Sequence, residues 1–294
     1  MKLAIIIQCH KNPEQINMLL DALHHPSIDF FVHVDAKSDI KKDLYIRDGI
    51  HFLPNDKRVD VKWANFSQVQ ATLNLLEFAS AYDKYDFFCL ISGQDFPIKP
   101  VESLMKFLEN NIDKNFVNLS PSKNYVLGEC NSADKRVELY YPQWLLKTDF
   151  IHKVIRRLYI ELSGGYNHTF NIFRRKDICE INFYTGSSWW CFNNEFTQYL
   201  LNYINDNPKF IKIFNNSNCP DEHIFQTILM NSPYANTRED YLHYIDWTGC
   251  KNSPNVLTIK DFDNIKNSEK FFARKFDIDV DKEVTHKIIK EILI

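Results

Sequence analysis

The sequence has few glycines and lacks the glycine-rich loops that bind phosphate. Only 7 of its 294 residues are glycine, and neither G-x-G-x-x-G nor G-x-x-x-x-G-K-[ST] occurs. Without such a loop the backbone cannot wrap a pyrophosphate or triphosphate in the common ways. This argues against Rossmann dinucleotide-binding proteins, P-loop NTPases and nucleotidyltransferases. The absence of G-x-S-x-G in addition argues against an α/β hydrolase.

Long apolar runs, a strong net charge and paired cysteines are also missing. No stretch approaches the roughly 18–20 apolar residues of a membrane span, and the N-terminus MKLAIIIQCHKNP has no signal-peptide cleavage site. The formal net charge is −3, which gives no basic field for nucleic acid. Seven cysteines are odd in number and form no C-x-x-C pair. This disfavours a zinc site and predicts free thiols in a reducing cytosol.

Short apolar runs alternate with helical patterns over the first hundred residues. The runs LAIIIQ (3–8), DFFVHVD (29–35) and YDFFCLIS (85–92) are nearly all apolar. Strands of this kind are typical of a parallel sheet that is covered on both faces. The order strand, helix, strand, helix, strand therefore predicts the α/β class with a mostly parallel central sheet flanked by helices. The absence of a linker or repeat predicts a single domain over 1–294.

Helix starts can be read from capping residues. Asn12 before Pro13 predicts a helix start. Ser67 and Gln70 have capping-box spacing before an apolar run. Near the other end of the chain Thr258 is predicted to cap a helix with Asp261 three residues on. A strand is predicted at 242–247.

Polar residues follow the three predicted strands. His10, Asp35 and Asp95 stand at strand ends, and ligands of open α/β sheets bind outside the carboxyl ends of the strands. The three are therefore candidates for nucleotide or donor contacts. The alternatives are a structurally paired histidine, a polar strand-end turn for Asp35, and a turn at 93–97 held by Asp95.

Two acids stand in NCPDEHIFQTIL (218–229). Pro220 is predicted to begin a helix, with Asp221 and Glu222 in its first turn, where the helix dipole favours ionised carboxylates. Acids that only stabilise a helix start are one interpretation, and a general base is the other. The sequence around them does not decide between the two.

The region at about 115–180 is less regular and rich in aromatic and basic residues. It is either an insertion with a short basic helix or an acceptor-binding insertion, since sugars stack on aromatic rings. The basic stretch HKVIRRLY (152–159) within it would suit peripheral contact with a membrane.

Five segments in order resemble the core-2/I-branching glycosyltransferases, which include the peptide O-xylosyltransferases. They are HVDAKSD (33–39), WANFSQVQATLNLL (63–76), LISGQDFPIK (90–99), PDEHIFQTIL (220–229) and SPNVLTIKDFDNIKNSEKFFARKFD (253–277). The resemblance implies a GT-A-like fold and an inverting transfer from a UDP-sugar, with N-acetylglucosamine or xylose the expected sugar. It runs from about residue 3 to residue 280 and is weakest across 115–180.

The resemblance also implies roles for single residues. Glu222 matches the catalytic base, and Asp221 becomes a supporting residue. Lys275 matches a basic residue that faces the departing diphosphate, and Arg274 lies beside it. The family's second basic residue aligns with Asn252, a departure for which the neighbouring Lys251 is the candidate substitute.

Aromatic and small residues complete the expected site. Trp247 aligns with an aromatic that lies against the transferred sugar, with core packing as its alternative. The segment with Gly186, Ser187, Ser188 and Trp189 matches a glycine-serine-aromatic stretch that is either an acceptor contact or a buried turn. Further acceptor contacts are suggested at Arg136, Glu138 and Tyr140.

No metal or other cofactor is expected beyond the UDP-sugar substrate. The position of the usual D-x-D metal motif reads Gly-Gln-Asp95, with one acid only. D-x-D strings at 261–263, 277–279 and 279–281 are interpreted as helix-cap and solvated charges. We therefore expect metal-independent transfer, with basic side chains in place of a cation.

The start at the first strand and the unpaired cysteines predict a bacterial, cytoplasmic member of the family. Its expected task is surface polysaccharide synthesis on a glycan or lipid-linked glycan acceptor, with peripheral contact at the inner face of the membrane. The rival hypothesis is a non-catalytic carbohydrate- or nucleotide-binding protein on the same fold, which the departure at Asn252 keeps open.

Overall fold

The computed structural model describes residues 1–120, 136–137, 140, 149–165, 168, 182–249 and 253–294. Its helices are α1 Pro13–Ala22, α2 Phe66–Tyr82, α3 Val101–Glu109, α4 Phe150–Leu162, α5 Asn194–Asp206, α6 Pro208–Asn215, α7 Ile224–Met230, α8 Phe262–Asn267 and α9 Glu283–Ile288. Its strands are β1 Leu3–Cys9, β2 Ile28–Val34, β3 Ile50–Phe52, β4 Phe87–Ser92, β5 Asp95–Pro97, β6 Asn115–Val117, β7 Trp190–Asn193, β8 Arg238–Glu239, β9 His243–Ile245 and β10 Phe272–Arg274.

The main sheet has seven strands in the order β3-β2-β1-β4-β7-β6-β8. The first four strands are parallel to one another. β7 runs antiparallel to β4 and β6, and β8 is parallel to β6. The three predicted apolar runs are β1, β2 and β4. The predicted α/β class with a mostly parallel central sheet is confirmed.

Alternate residues of β1 enter two separate cores. Leu3, Ile5 and Ile7 pack with apolar residues of α1, α3, α8 and α9. Ala4 and Ile6 pack with those of α2, α5, α6 and α7. Because helices cover both faces, both sides of the strand must be apolar, which explains its continuous apolar sequence.

A smaller sheet, in the order β5-β10-β9, brings distant segments of the chain together. In its register Arg274 lies opposite Asp95 on one side and Ile245 on the other. The amide of Phe276 then donates to the Gln94 carbonyl at 2.8 Å. Lys275 is thereby held next to the loop that follows β4.

Two predicted caps differ from the structure, although the helices that follow them are present. Asn12 has a left-handed backbone (φ 54°) and its side chain makes no cap bond to α1. It instead donates to Asp277 at 2.8 Å. At α2 the cap is Asn65, which accepts from the Ser67 amide at 3.1 Å, so the capping box of Ser67 and Gln70 is wrong.

The capping box at the start of the 3₁₀ turn Ile259–Asp261, which leads into α8, is confirmed. The amide and hydroxyl of Thr258 both donate to the Asp261 carboxylate, at 2.8 and 3.0 Å. Asp281 also caps, because it accepts from the Ile259 and Val284 amides. The interpretation of Asp277 as a solvated charge is wrong, because this carboxylate is buried and accepts from both Lys11 and Asn12.

Much of the predicted insertion at about 115–180 lies outside the described residues, so its acceptor role stays a prediction, as does the single-domain organisation. Within it the structure describes β6 and α4. In the described part of the chain, no helix combines the length and the apolar character that crossing a bilayer requires.

Candidate active site

The ends of β1 and β2 lie side by side. The Asp35 amide donates to the Cys9 carbonyl at 2.9 Å, and the Ser38 hydroxyl donates to the His10 carbonyl at 2.9 Å. These bonds hold His10 and Asp35 at the same edge of the sheet, as parallel pairing of the two strands predicts.

Asp35 is a buried carboxylate with one close cationic neighbour. It accepts from the Lys37 amide at 3.0 Å, and the Lys37 ammonium lies 3.2 Å away. The same ammonium also contacts Asp60 at 2.9 Å. Asp35 therefore stabilises its own turn, as one of its two alternatives predicts, and it also lies beside His10. Its contact with a nucleotide stays a prediction.

The C-terminal segment is bound to the start of α1. The Lys11 ammonium lies 2.5 Å from the Asp277 carboxylate. The buried Gln15 side chain donates to the Gly93 carbonyl at 2.7 Å and accepts from the Ile278 amide at 3.0 Å. Residues near both ends of the chain are thereby fixed around the carboxyl end of β4.

Cationic groups converge at this edge. Burial lowers the pKa of Lys275, and the positive charges of Arg274 and Lys11 lower it further. Burial likewise lowers the pKa of His10, with Lys11, Lys37 and Lys275 acting in the same direction and Asp35 opposing them. Groups whose cationic forms destabilise one another are a natural site for an anion, because a bound diphosphate would relieve that repulsion.

Arg274 has a different environment from its neighbour. Its guanidinium lies 3.2 Å from the fully buried Asp95 carboxylate and 4.1 Å from the centre of the Trp189 ring. Only 11% of its side chain is exposed. Arg274 was predicted with Lys275 as a donor contact, and that role stays a prediction. In the structure its guanidinium makes a buried ion pair and a cation–π contact.

Asp95 is completely buried and holds its own turn. It accepts from the Ser92 amide at 2.5 Å, and the buried His243 ring lies 3.9 Å away. Burial raises the pKa of Asp95, and Arg274 offsets part of that rise. Of the two alternatives for Asp95, the geometry favours the turn-holding one.

Glu222 lies in a one-turn 3₁₀ segment, Pro220–Glu222, and not in the first turn of an α-helix. The helix α7 begins only at Ile224, after a break at His223. The prediction of one continuous helix start is therefore wrong. Cys219, which precedes the turn, is left-handed (φ 51°), and its amide donates to the Ala64 carbonyl.

The Glu222 carboxylate meets one arginine. An Nη of Arg136 lies 2.5 Å from Oε2 of Glu222, and about a third of the glutamate side chain is exposed (35%). The Gly186 amide donates to the Glu222 carbonyl at 2.9 Å. Arg136, suggested above as an acceptor contact, is instead a direct neighbour of the candidate base, which keeps one side accessible to substrate.

Asp221 differs from Glu222 in being buried. Its carboxylate accepts from the Ser188 hydroxyl at 2.6 Å. Burial and then the charge of Glu222 raise its pKa to about 6. This acid anchors the turn to the 186–189 segment and is poorly placed to reach substrate.

The 186–189 segment packs against the end of β6 and against the acidic turn. A Cβ on Gly186 would lie 1.8 Å from the Asn118 carbonyl oxygen, so only glycine fits there. The Ser187 amide donates to the Asn118 side chain at 3.3 Å, and its carbonyl accepts from Gln226 at 2.7 Å. Trp189 is buried beneath Arg274. These contacts match the buried-turn alternative. They also join the Glu222 turn to the β5-β10 pair, which Lys275 directly follows.

Two of the remaining candidates are accessible. The Trp247 side chain is 50% exposed, which excludes core packing for it, and Tyr140 is 45% exposed. Lys251 and Glu138 lie outside the described residues. Among the described residues, no group of three or more His, Cys, Asp or Glu side chains is arranged to hold a metal ion.

Three neighbours of the site were missed by the sequence analysis. Lys11 follows His10 by one position and Lys37 follows Asp35 by two, so the strand-end rule applied two residues further would have found them. Ser188 was noted only for its size, and nothing in the sequence shows that its hydroxyl reaches Asp221.

Comparison with known proteins gives one family match and several curated relatives. The profile of the family described as "Branch: Core-2/I-Branching enzyme" matches residues 3–266. Xylosyltransferase oxt of Drosophila melanogaster is 26% identical over 90% of this chain and 30% of its own length. Xylosyltransferase 2 of Canis lupus familiaris is 28% identical over 92% of this chain and 31% of its own length.

Xylosyltransferase 1 of Homo sapiens is 26% identical over 96% of this chain and 29% of its own length. The chain thus spans about a third of the length of the curated relatives that it matches. The crystal structure of mouse xyloside xylosyltransferase 1 in its apo form is only weakly similar, with a TM-score of 0.39 and 8% identity over 93% of this chain and 97% of that chain.

Proposed function

The chain belongs to the core-2/I-branching enzymes, a family of glycosyltransferases, and we propose that it transfers a sugar from a UDP-sugar to a glycan hydroxyl. The transfer inverts the anomeric centre and forms a β-linkage. The observation that carries the proposal is Glu222, a partly exposed carboxylate in a rigid turn that is joined through the 186–189 segment to the strand pair next to Lys275.

The reaction requires a base on the acceptor side. Glu222 takes the proton from the acceptor hydroxyl, whose oxygen attacks the anomeric carbon as the bond from that carbon to the diphosphate oxygen breaks. The bonding electron pair leaves with UDP. General base catalysis by a positioned carboxylate contributes roughly 10²–10⁴-fold to the rate.

Arg136 holds the base in place. Its guanidinium lies 2.5 Å from the Glu222 oxygen. The same contact fixes the orientation of the carboxylate.

The leaving diphosphate is stabilised by side chains in this proposal. Lys275 and Lys11 converge with the His10 ring at the carboxyl ends of β1 and β4. The two ammonium groups are positive charges that would face the developing anion and lower the barrier. Transfer is then metal-independent. Asp35 beside His10 is the proposed contact for uracil or ribose, and the exposed Trp247 lies against the transferred sugar.

The donor sugar is proposed to be xylose or N-acetylglucosamine. The relatives are xylosyltransferases at 26–28% identity, which supports xylose. The acceptor is a glycan or lipid-linked glycan of a surface polysaccharide. A cytoplasmic location is supported by the four described cysteines, which are free thiols; they are Cys9, Cys89, Cys191 and Cys219.

A donor screen tests the proposal. Thermal stability and product mass are measured with a panel of UDP-sugars, each with and without excess EDTA. We expect one donor to stabilise the protein and to be turned over equally in both conditions. Turnover that is lost in EDTA and restored by manganese would contradict metal independence.

Substitution of Lys275 tests its proposed role beside the leaving diphosphate. Lys275→Gln is expected to weaken UDP-sugar binding and to lower kcat by about tenfold or more, because a charge next to the leaving group is lost. Lys260→Gln changes an exposed lysine of the same segment and is the matched control. Binding of UDP-sugar with no transfer or hydrolysis under any condition would favour a non-catalytic binding protein instead.

A further inference from the structure

The helix α4 turns its apolar side outward. None of its residues is buried. Six large apolar side chains are between 41% and 87% exposed, and they are Phe150, Ile151, Val154, Ile155, Leu158 and Leu162. A contiguous exposed apolar patch of this kind marks an interaction surface in a soluble protein.

The six side chains share one face of the helix. At about 100° per residue they fall within an arc of about 140°. The exposed Glu161, which pairs with Arg157, also falls within this arc, near one edge. The residues of α4 that are partly covered lie on the opposite side and include His152, Arg156 and Tyr159. A helix that packs on a globular core has the reverse arrangement, with its apolar face inward, so the outward face of α4 is available for another surface.

Basic residues border this face. Lys153 and Arg157 are exposed and lie toward one edge of the apolar arc, with Tyr159 toward the other edge. Arg157 contacts Glu161 at 3.1 Å, but its side chain stays 83% exposed. Apolar side chains bordered by Lys, Arg and Tyr are the pattern of a helix that lies in the plane of a lipid headgroup layer.

We propose that α4 is an in-plane anchor on an anionic lipid bilayer. The apolar face enters the boundary between headgroups and acyl chains, and Lys153 and Arg157 pair with lipid phosphates. A second copy of this chain suits the face less well, because a twofold contact through it would bring the same basic border against itself. The basic border selects a surface of opposite charge.

Anchoring would bring the chain to the surface on which a lipid-linked acceptor is presented. This consequence rests on the proposed function, whereas membrane binding itself does not. The binding experiment therefore stands whatever the donor or acceptor turns out to be.

Vesicle sedimentation tests the anchor with the full chain. The probes are vesicles of phosphatidylcholine alone and of phosphatidylcholine with phosphatidylglycerol. We expect wild type to sediment with the anionic vesicles and much less with the neutral ones. Ile155→Ser with Leu158→Ser is expected to lose about tenfold or more of this binding. Lys153→Gln with Arg157→Gln is expected to lose about tenfold on anionic vesicles only.

A matched control removes the same kind of exposed apolar surface elsewhere. Ile46 and Val280 are exposed aliphatic residues outside α4, and Ile46→Ser with Val280→Ser should bind vesicles as wild type does. Equal loss in this control, or no binding by wild type, would overturn the proposal. So would a clear fall in melting temperature for the Ile155 and Leu158 variant, which would mean that the face packs on the chain itself. A wild-type dimer that this variant dissociates would assign the face to a second copy.

Discussion

At the scale of single residues, two adjacent acids have different tasks because their surroundings differ. Asp221 is buried and hydrogen-bonded to Ser188, whereas Glu222 keeps about a third of its side chain exposed beside Arg136. Burial disfavours the ionised form of Asp221. The structure thus gives Asp221 an anchoring role and leaves Glu222 as the acid that substrate can reach.

Asp221 makes the stability of the protein depend on pH in an unusual direction for a carboxylate. Its pKa is about 6 in the folded protein, against 3.8 as its ordinary value. Between these two values the folded state keeps a proton that the unfolded state loses. The stability that Asp221 contributes is therefore fully present below its ordinary pKa, and it is lost as pH rises through its pKa in the folded protein.

We expect this loss to be about 1 kcal/mol between about pH 5 and about pH 7. Urea unfolding of wild type and Asp221→Asn at both pH values measures it. Asp221→Asn keeps a hydrogen-bonding partner for Ser188, and its free energy of unfolding should not show this fall of about 1 kcal/mol between the two pH values. An identical change in the free energy of unfolding in both proteins would contradict the account of Asp221.

The sequence predicts several of these residues but not their partners. The resemblance and the strand-end rule together point to Glu222, His10, Asp35 and Lys275. Neither indicates that Arg136 reaches Glu222, because the two are 86 positions apart and meet only through tertiary packing.

At the scale of structural elements, the site is built from short irregular segments that regular ones hold in place. The turn Pro220–Glu222 is fixed by Ala64 through Cys219 and by Gly186 through Glu222. The 186–189 segment leads directly into β7, a central strand of the main sheet. Rigid strands thereby set the position of the candidate base without a long helix behind it.

Gly186 tests this arrangement, because the close approach of its backbone to Asn118 leaves no room for a side chain. Gly186→Ala places a Cβ 1.8 Å from a carbonyl oxygen, so the 186–189 segment must move. We expect a loss of about 3 kcal/mol in the free energy of unfolding. Transfer should also fall, because the bond from Gly186 to the Glu222 backbone is strained.

The control is Gly165→Ala. Gly165 has a positive φ of 90°, and a methyl group added there would meet no atom of the surrounding described residues within 4 Å. The substitution should therefore cost only about 1 kcal/mol of backbone strain. Equal effects at the two glycines would contradict the close-approach explanation.

Secondary structure was predictable where apolar runs set it and unpredictable where a distant partner did. The strands β1, β2 and β4 follow from their composition. The predicted cap at Asn12 was wrong because the Asn12 side chain instead donates a hydrogen bond to Asp277, which is 265 positions away. The predicted continuous helix start at Pro220 was wrong because the backbone leaves helical geometry at His223 (φ −131°), which no local pattern reveals.

At the scale of the whole molecule, both ends of the chain meet at one edge of the sheet. Lys11 and Asp277 are 266 positions apart and form an ion pair, and Gln15 bonds to both Gly93 and Ile278. Lys275 stands between these contacts. The α/β class was predictable from the order of strands and helices, but this closure depends on tertiary pairing that the sequence does not display.

The central claim is that the assembled edge performs glycosyl transfer with Glu222 as the base. The most direct measurement is the rate of sugar transfer by Glu222→Gln, beside its affinity for UDP. Glu195→Gln, at an exposed glutamate in the first turn of α5, is the matched control and should behave as wild type. We predict a fall in kcat of at least about 100-fold with UDP affinity unchanged, and transfer by Glu222→Gln at the wild-type rate would contradict the account.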